Sequence, residues 1–264
     1  MKPFSRLLLV AIISTNSPFL LAWGADGHRV VGDLALDRLS APARRALFKI
    51  TGTSNRPEII EWCIWPDAYR STDEGAWTAP LHFVNIPPQA DGYDSARDCD
   101  GGLCVTEAIG QFAAELGNAA LPAQQRLEAF GFVCHFVADL SQPLHAGFEN
   151  DRGGNDFLIT YNGQQQNLHR FWDSTLILQH AYRWEWLSKV VGRTYAPNPG
   201  KPWTQDMTVD WTNDAHGIAA TLAYPESPVI SQAFEARSWS LVQWQLAKGG
   251  RNLAEVLNTV LDEP

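Results

Sequence analysis

The sequence is poor in charge. Only 19% of its 264 residues are Asp, Glu, Lys or Arg, while 45% are apolar and 11% aromatic. That balance excludes a disordered chain and provides for one large globular core. There is no low-complexity run and no internal repeat, so a solenoid or array is excluded. Past residue 22 no apolar run approaches the ~20 residues that a spanning helix needs. Positive charge is also scarce: 20 Lys+Arg against 29 Asp+Glu give a net charge of −9. A protein that coats nucleic acid is basic. Any nucleic acid bound by this chain must therefore be held locally, by stacking or by metal cations.

What the first 22 residues contain reads as a signal peptide. Lys2 and Arg6 form a positive end, Leu7 to Ile13 is an apolar run too short to span a bilayer, and Phe19 to Ala22 leads to a cut after Ala22. Leu20 stands where a small residue is preferred. The alternative, a buried N-terminal helix, is interrupted by Asn16, Ser17 and Pro18. Cleavage leaves residues 23–264 as one secreted or periplasmic domain and moves the net charge to −11, because only Lys2 and Arg6 are removed. Four cysteines in an exported chain invite disulfides. Cys99 and Cys104 bracket a flexible Asp-Gly-Gly-Leu turn and read as a small stapled loop. Cys63 and Cys134, both in apolar helical context, read either as a pair or as buried thiols.

Periodicity predicts a mainly helical single domain. Helices are expected over Gly27 to Leu39, with Asp26 as cap, from Pro57 to about Tyr69, over Thr106 to Leu116 and over Pro122 to Leu140. An irregular Gly-rich stretch follows Pro143. Phe157 to Tyr161 alternates as a strand, and Asn162-Gly163 predicts one small hairpin. Helices resume near Leu168, interrupted by a Pro/Gly loop over residues 197–202.

The chemistry lies in the histidines, at 28, 82, 135, 145, 169, 180 and 216. His135 and Asp139 are four apart on one helix and share a face; His169 and Asp173 repeat that spacing among aromatics. His145 follows just past Pro143. One such pair can be a buried structural hydrogen bond; two pairs with an adjacent histidine suit zinc, which takes imidazole nitrogen and carboxylate oxygen. Asp67, His82 and His28 are weak candidates taken alone.

The order of motifs adds to this. Trp23-Gly24-Ala25-Asp26-Gly27-His28 is followed by Trp65-Pro66-Asp67-Ala68-Tyr69-Arg70, Leu81-His82-Phe83-Val84-Asn85 and His135-Phe136-Val137-Ala138-Asp139. Then come Gln142-Pro143-Leu144-His145, Gly153-Gly154-Asn155, Asn167-Leu168-His169 and Gln245 to Gly250. Over essentially all of residues 23–264 the chain resembles the trinuclear zinc-dependent single-strand-specific nucleases, whose fold is shared with zinc phospholipase C. The resemblance implies three zinc ions. Asp67, His82 and His135 would bind one, with Asp139 shared. The backbone amine and carbonyl of Trp23, with His28 and Asp139, would bind the second, and His145, His169 and Asp173 the third. A hydroxide bridging the close pair would attack phosphorus and leave 5′-phosphate products. Arg70 would contact the phosphoryl oxygens, Asn155 would orient Arg70 or bind phosphate, Phe83 would stack a base and Asn85 would bond its edge. Implied substrates are single-stranded DNA and RNA and 3′-nucleotides, with no obligate protein partner.

Where fungal members tend to carry Asp, this chain has Asn85, and it has no Asn-x-Ser/Thr acceptor, which favours a bacterial setting. The alternatives are a zinc-dependent phospholipase C and a zinc-storage protein; His180 and His216 fall outside the motifs.

Overall fold

A computed structural model describes residues 23–195 and 200–262. The leader expected at residues 1–22 lies outside the described residues, as does most of the first part of the loop expected at residues 197–202. Twelve α-helical segments occur among the described residues: α1 (Ala25–Leu36), α2 (Ala41–Thr51), α3 (Arg56–Glu61), α4 (Trp65–Tyr69), α5 (Ser95–Asp98), α6 (Val105–Gly117), α7 (Ala123–Ser141), α8 (Leu168–Arg170), α9 (Leu176–His180), α10 (Trp184–Thr194), α11 (Gln205–Ile218) and α12 (Gln232–Leu261). The one sheet among the described residues is a two-stranded antiparallel hairpin, β1 (Leu158–Tyr161) and β2 (Gln164–Asn167), turned by Asn162 and Gly163 at φ +50° and +75°. The mainly α architecture with one small hairpin is thus observed.

The core forms around α7. Every residue of that helix from Ala129 to Ser141 is buried, so it has no solvent face, as a helix apolar all round requires. α6, α12, α1, α2, α4 and α11 pack around it. Close approach of α12 to α1 and α7 depends on Gly249 and Gly250. A Cβ at Gly249 would stand 2.8 Å from Ser141 Oγ, and one at Gly250 would stand 2.5 Å from Leu34 Cβ.

Two expectations are corrected. The helix read from Pro57 to Tyr69 is broken between α3 and α4, because Pro66 has no N–H to continue it and starts a new helix instead. Asp26 is not the cap of α1. The cap position is Gly24, whose N–H is anchored on the Asp173 carbonyl (2.8 Å), and Asp26 turns to Arg29 at 3.1 Å.

Both cysteine pairs are disulfides, Cys99–Cys104 across the Gly-Gly turn and Cys63–Cys134 between the end of α3 and α7. The second lies against Gly32 of α1, where a Cβ would come within 2.7 Å of Cys63 Sγ. It closes a loop with a sequence separation of 71. Replacing both Cys63 and Cys134 by Ala is expected to lower unfolding free energy by about 2–4 kcal/mol in denaturant titrations under non-reducing conditions. An unchanged midpoint would show that packing alone holds α3 on α7.

Candidate metal centre

Eight ionisable side chains from seven segments converge at one end of α7. His28 comes from the first turns of α1, Asp67 from α4, and His82 from the end of the 3-10 turn Ala76–His82. His135 and Asp139 lie on α7, His145 on the 3-10 turn Pro143–Ala146, and His169 on α8. Asp173 sits in the π-helical turn Phe171–Thr175, a widened turn of the sort that marks functional sites. All five histidines and Asp139 and Asp173 are buried, and the side chain of Asp67 is 9% exposed.

Backbone carbonyls set the rings. His135 Nδ1 donates to Cys63 O (2.8 Å), His145 Nδ1 to His82 O (2.7 Å) and His169 Nδ1 to Gly153 O (2.7 Å). Each bond fixes a tautomer and leaves Nε2 as a lone pair facing inward. Those lone pairs meet carboxylate oxygens. His135 Nε2 lies 3.2 Å from Asp139 Oδ2 and 3.6 Å from Asp67 Oδ1. His145 Nε2 lies 3.7 Å from Asp173 Oδ1, and His169 Nε2 lies 3.1 Å from Asp173 Oδ2. His82 Nδ1 adds a contact to Asp139 Oδ2 at 3.1 Å, and His28 Nε2 one to Asp139 Oδ1 at 3.3 Å. A lone pair against a carboxylate is repulsive unless a proton or a metal cation lies between them.

The cluster is also poorly satisfied. Of the ten buried side-chain polar atoms without a hydrogen-bond partner among the described residues, six belong here: both nitrogens of His28, Asp67 Oδ1, His82 Nε2, Asp139 Oδ1 and His145 Nε2. Burial opposes the charge on Asp139, but His135 and His145 outweigh it and hold the carboxyl well below its ordinary range. Burial likewise opposes a proton on His145, but Asp139 and Asp173 outweigh it and raise it to about 9. His82 is pushed the other way, to about 4, chiefly by burial. The anionic carboxylates therefore demand more positive charge than these rings share comfortably.

Three sets of ligand atoms lie close enough to hold an ion each: His28, Asp67 and His135; His82, His135 and Asp139; and His145, His169 and Asp173. Ligands on a tetrahedral zinc at ~2.0–2.1 Å stand roughly 3.4 Å from one another, which matches the separations above. The third set coincides with the sequence reading. The first two share His135 and divide the close pair differently from it, although His28 also touches Asp139 as that reading has it. The donor set fits divalent cations.

The other expected residues lie around this centre. Trp23 is fully buried, its indole Nε1 donating to Ser141 Oγ at 2.9 Å. Arg70 pairs with Asp67 through NH2 at 2.9 Å. Asn155 Nδ2 donates to Arg152 O (2.8 Å) and its Oδ1 accepts from Asn167 Nδ2 at 3.5 Å. Phe83, next to His82, is 39% exposed and lines a 290 Å³ cleft with Asn85, Arg97, Leu103 and Glu149. His216 and His180 stand apart, on Ala146 O and Glu235. Sequence reasoning gave no role to Gln142, Gly153 or the Cys63 carbonyl. Each contacts a ligand through an amide or main-chain atom, for which spacing rules carry no signal.

Similarity to known proteins bears on this arrangement. The sequence model of the family described as S1/P1 nuclease matches residues 23–262. Nuclease P1 of Penicillium citrinum is 28% identical over 266 residues, covering 90% of this chain and 97% of its own length. Nuclease S1 of Aspergillus oryzae is 28% identical over 272 residues (92% and 93%), and endonuclease 3 of Arabidopsis thaliana 28% over 273 residues (91% and 89%).

Gly153 supplies the carbonyl for His169 at φ +62°, and a Cβ there would come within 2.3 Å of Leu144 O. Gly153→Ala is expected to cost more than about 2 kcal/mol. Gly163→Ala, at φ +75° with open space around it, is expected to cost about 1 kcal/mol. Equal losses in denaturant melts would remove the packing argument.

Proposed function

Because the chain belongs to the S1/P1 nuclease family, we propose that it is an extracytoplasmic, zinc-dependent endonuclease of single-stranded DNA and RNA. It yields 5′-phosphate products and also acts on 3′-nucleotides. The observation that carries this reading is the row of inward lone pairs on His135, His145 and His169 facing carboxylates, beside a cleft with an exposed aromatic ring. Residues 23–264 form the working domain and residues 1–22 its leader; two disulfides suit an oxidising compartment.

Asp67, His82, His135 and Asp139 would hold one zinc, His28, Asp139 and the free backbone of Trp23 a second, and His145, His169 and Asp173 the third. Bound zinc supplies two things, a lowered pKa for water and neutralisation of phosphoryl charge. The protein's own work is positioning. Carbonyls of Cys63, His82 and Gly153 hold three imidazoles in the ligating tautomer. The Arg70 guanidinium, kept at the rim by Asp67, donates to the phosphoryl oxygens as charge builds on them. Asn155 Nδ2 spends one N–H on Arg152 O and has a second to donate to phosphate. Phe83 stacks a base and Asn85 bonds its edge. Stacking accepts any base but needs it unpaired, which gives single-strand preference in a chain of net charge −9.

Metal analysis of protein starting at Trp23, with assays on single and double strands, tests the reading; three zinc ions per chain and faster cleavage of single strands are expected. A cytoplasmic form retaining Met before Trp23 is expected to lose one zinc and most activity, and full occupancy with normal turnover would refute the terminal ligand. Asn can donate as well as accept, so Asn85→Asp is expected to narrow the base preference measured on homopolymers. Identical profiles would take Asn85 out of base recognition.

A further inference from the structure

Gln142 is fully buried and ends α7, three residues after Asp139. Its main chain ties two candidate ligands, with its N–H on Asp139 O (2.9 Å) and its carbonyl accepting from His145 N (3.0 Å). Its side chain reaches a third. Gln142 Nε2 donates to Asp173 Oδ1 at 2.5 Å, while Oε1 accepts from Leu144 N at 2.6 Å. The amide cannot be turned over, because Leu144 N–H only donates and a carboxylate only accepts. One residue therefore spans the seam between α7 and the π-turn, touching Asp139 on one side and His145 and Asp173 on the other.

We infer that Gln142 is the positioning residue of the His145–His169–Asp173 subsite, setting its metal affinity independently of the other two. The inference rests on the three-ion reading above. By engaging Oδ1, the amide leaves Oδ2 of Asp173 directed at His169 Nε2 (3.1 Å). It does so as a neutral donor, which leaves the charge of the Asp173 carboxylate for a cation. The bond from His145 N keeps the turn Pro143–Ala146 closed, so both sides of the subsite are set by the same side-chain and main-chain unit. Partners of this kind tune metal affinity by about 10–100-fold. The apolar alternative, a leucine of similar size, fills the space but leaves Asp173 Oδ1 without a donor.

The test uses the full mature chain and zinc itself. Zinc content and stepwise affinity are measured by elemental analysis and chelator competition for wild type and Gln142→Leu. The expected result is a 10–100-fold loss of affinity for one ion, with content falling from three to two at limiting free zinc and the other two affinities unchanged. Three unchanged affinities overturn the inference. Uniform loss of all three also overturns it, since that marks a general prop of the fold. If Gln142→Leu does not fold, Gln142→Asn, whose amide is one methylene short, is judged by the same criteria. The wild-type count separates the two readings: fewer than three ions removes the three-ion reading, whereas three ions with an indifferent variant removes only the role of Gln142.

Discussion

Burying carboxylates among five imidazoles, three of which already have their outer nitrogens committed to carbonyls, is the constraint on which this molecule is built. A buried polar atom without a partner costs roughly 1–3 kcal/mol. At the end of α7, Asp67 Oδ1 has Arg70 and His28 Nε2 has Asp139 Oδ1 as neighbours, but His28 Nδ1 and His82 Nε2 have no hydrogen-bond partner among the described residues. Protons relieve this only in part, since the same burial that strengthens attraction to Asp139 pushes His82 toward its neutral form. Cations between nitrogen and oxygen satisfy both partners at once. The centre is therefore a feature of the fold's energetics as much as of its chemistry.

The scaffold answers that constraint by fixing directions. α7 is buried on every side, so the pair His135 and Asp139 has no solvent to turn to. Carbonyls from three different segments orient three rings, and each carbonyl is itself secured. Cys63 is linked to the neighbour of His135, His82 closes a 3-10 turn, and Gly153 sits in a backbone region that only glycine enters freely next to Leu144 O. Sequence-distant parts thus hold ligands that are close in space. The cleft lined by Phe83 differs in kind, bringing apolar and charged side chains together without a convergent set of metal donors.

How much of this was legible in the sequence follows from distance along the chain. The His135/Asp139 and His169/Asp173 pairs were readable because a helix places residues four apart on one face. That held even though the second pair straddles a widened turn. The Asn162-Gly163 hairpin was readable for the same local reason. His28, Asp67 and His82 were not, since packing of α1, α4 and the 3-10 turn Ala76–His82 on α7 brings them in, and only the ordered resemblance to a family named them. The Cys63–Cys134 bond needed knowledge that Gly32 opens a gap in α1. The reading of Asp26 as a cap failed because a tertiary contact, Gly24 to Asp173, decides where α1 begins.

The crossing of α12 over α1 and α7 has a consequence for how the protein is made. All the candidate ligands lie between residues 23 and 173, yet the helices that carry the first and the central ones are covered by α12, which comes later in sequence than any of them. Gly249 and Gly250 let that segment seat against Val31, Leu34 and Ser141. The core around the centre is complete only once α12 has packed, so its assembly joins segments far apart in sequence. Without α12 the ligand-bearing helices would keep their mutual contacts and the Cys63–Cys134 bond, but the outer faces of α1 and α7 would lie bare.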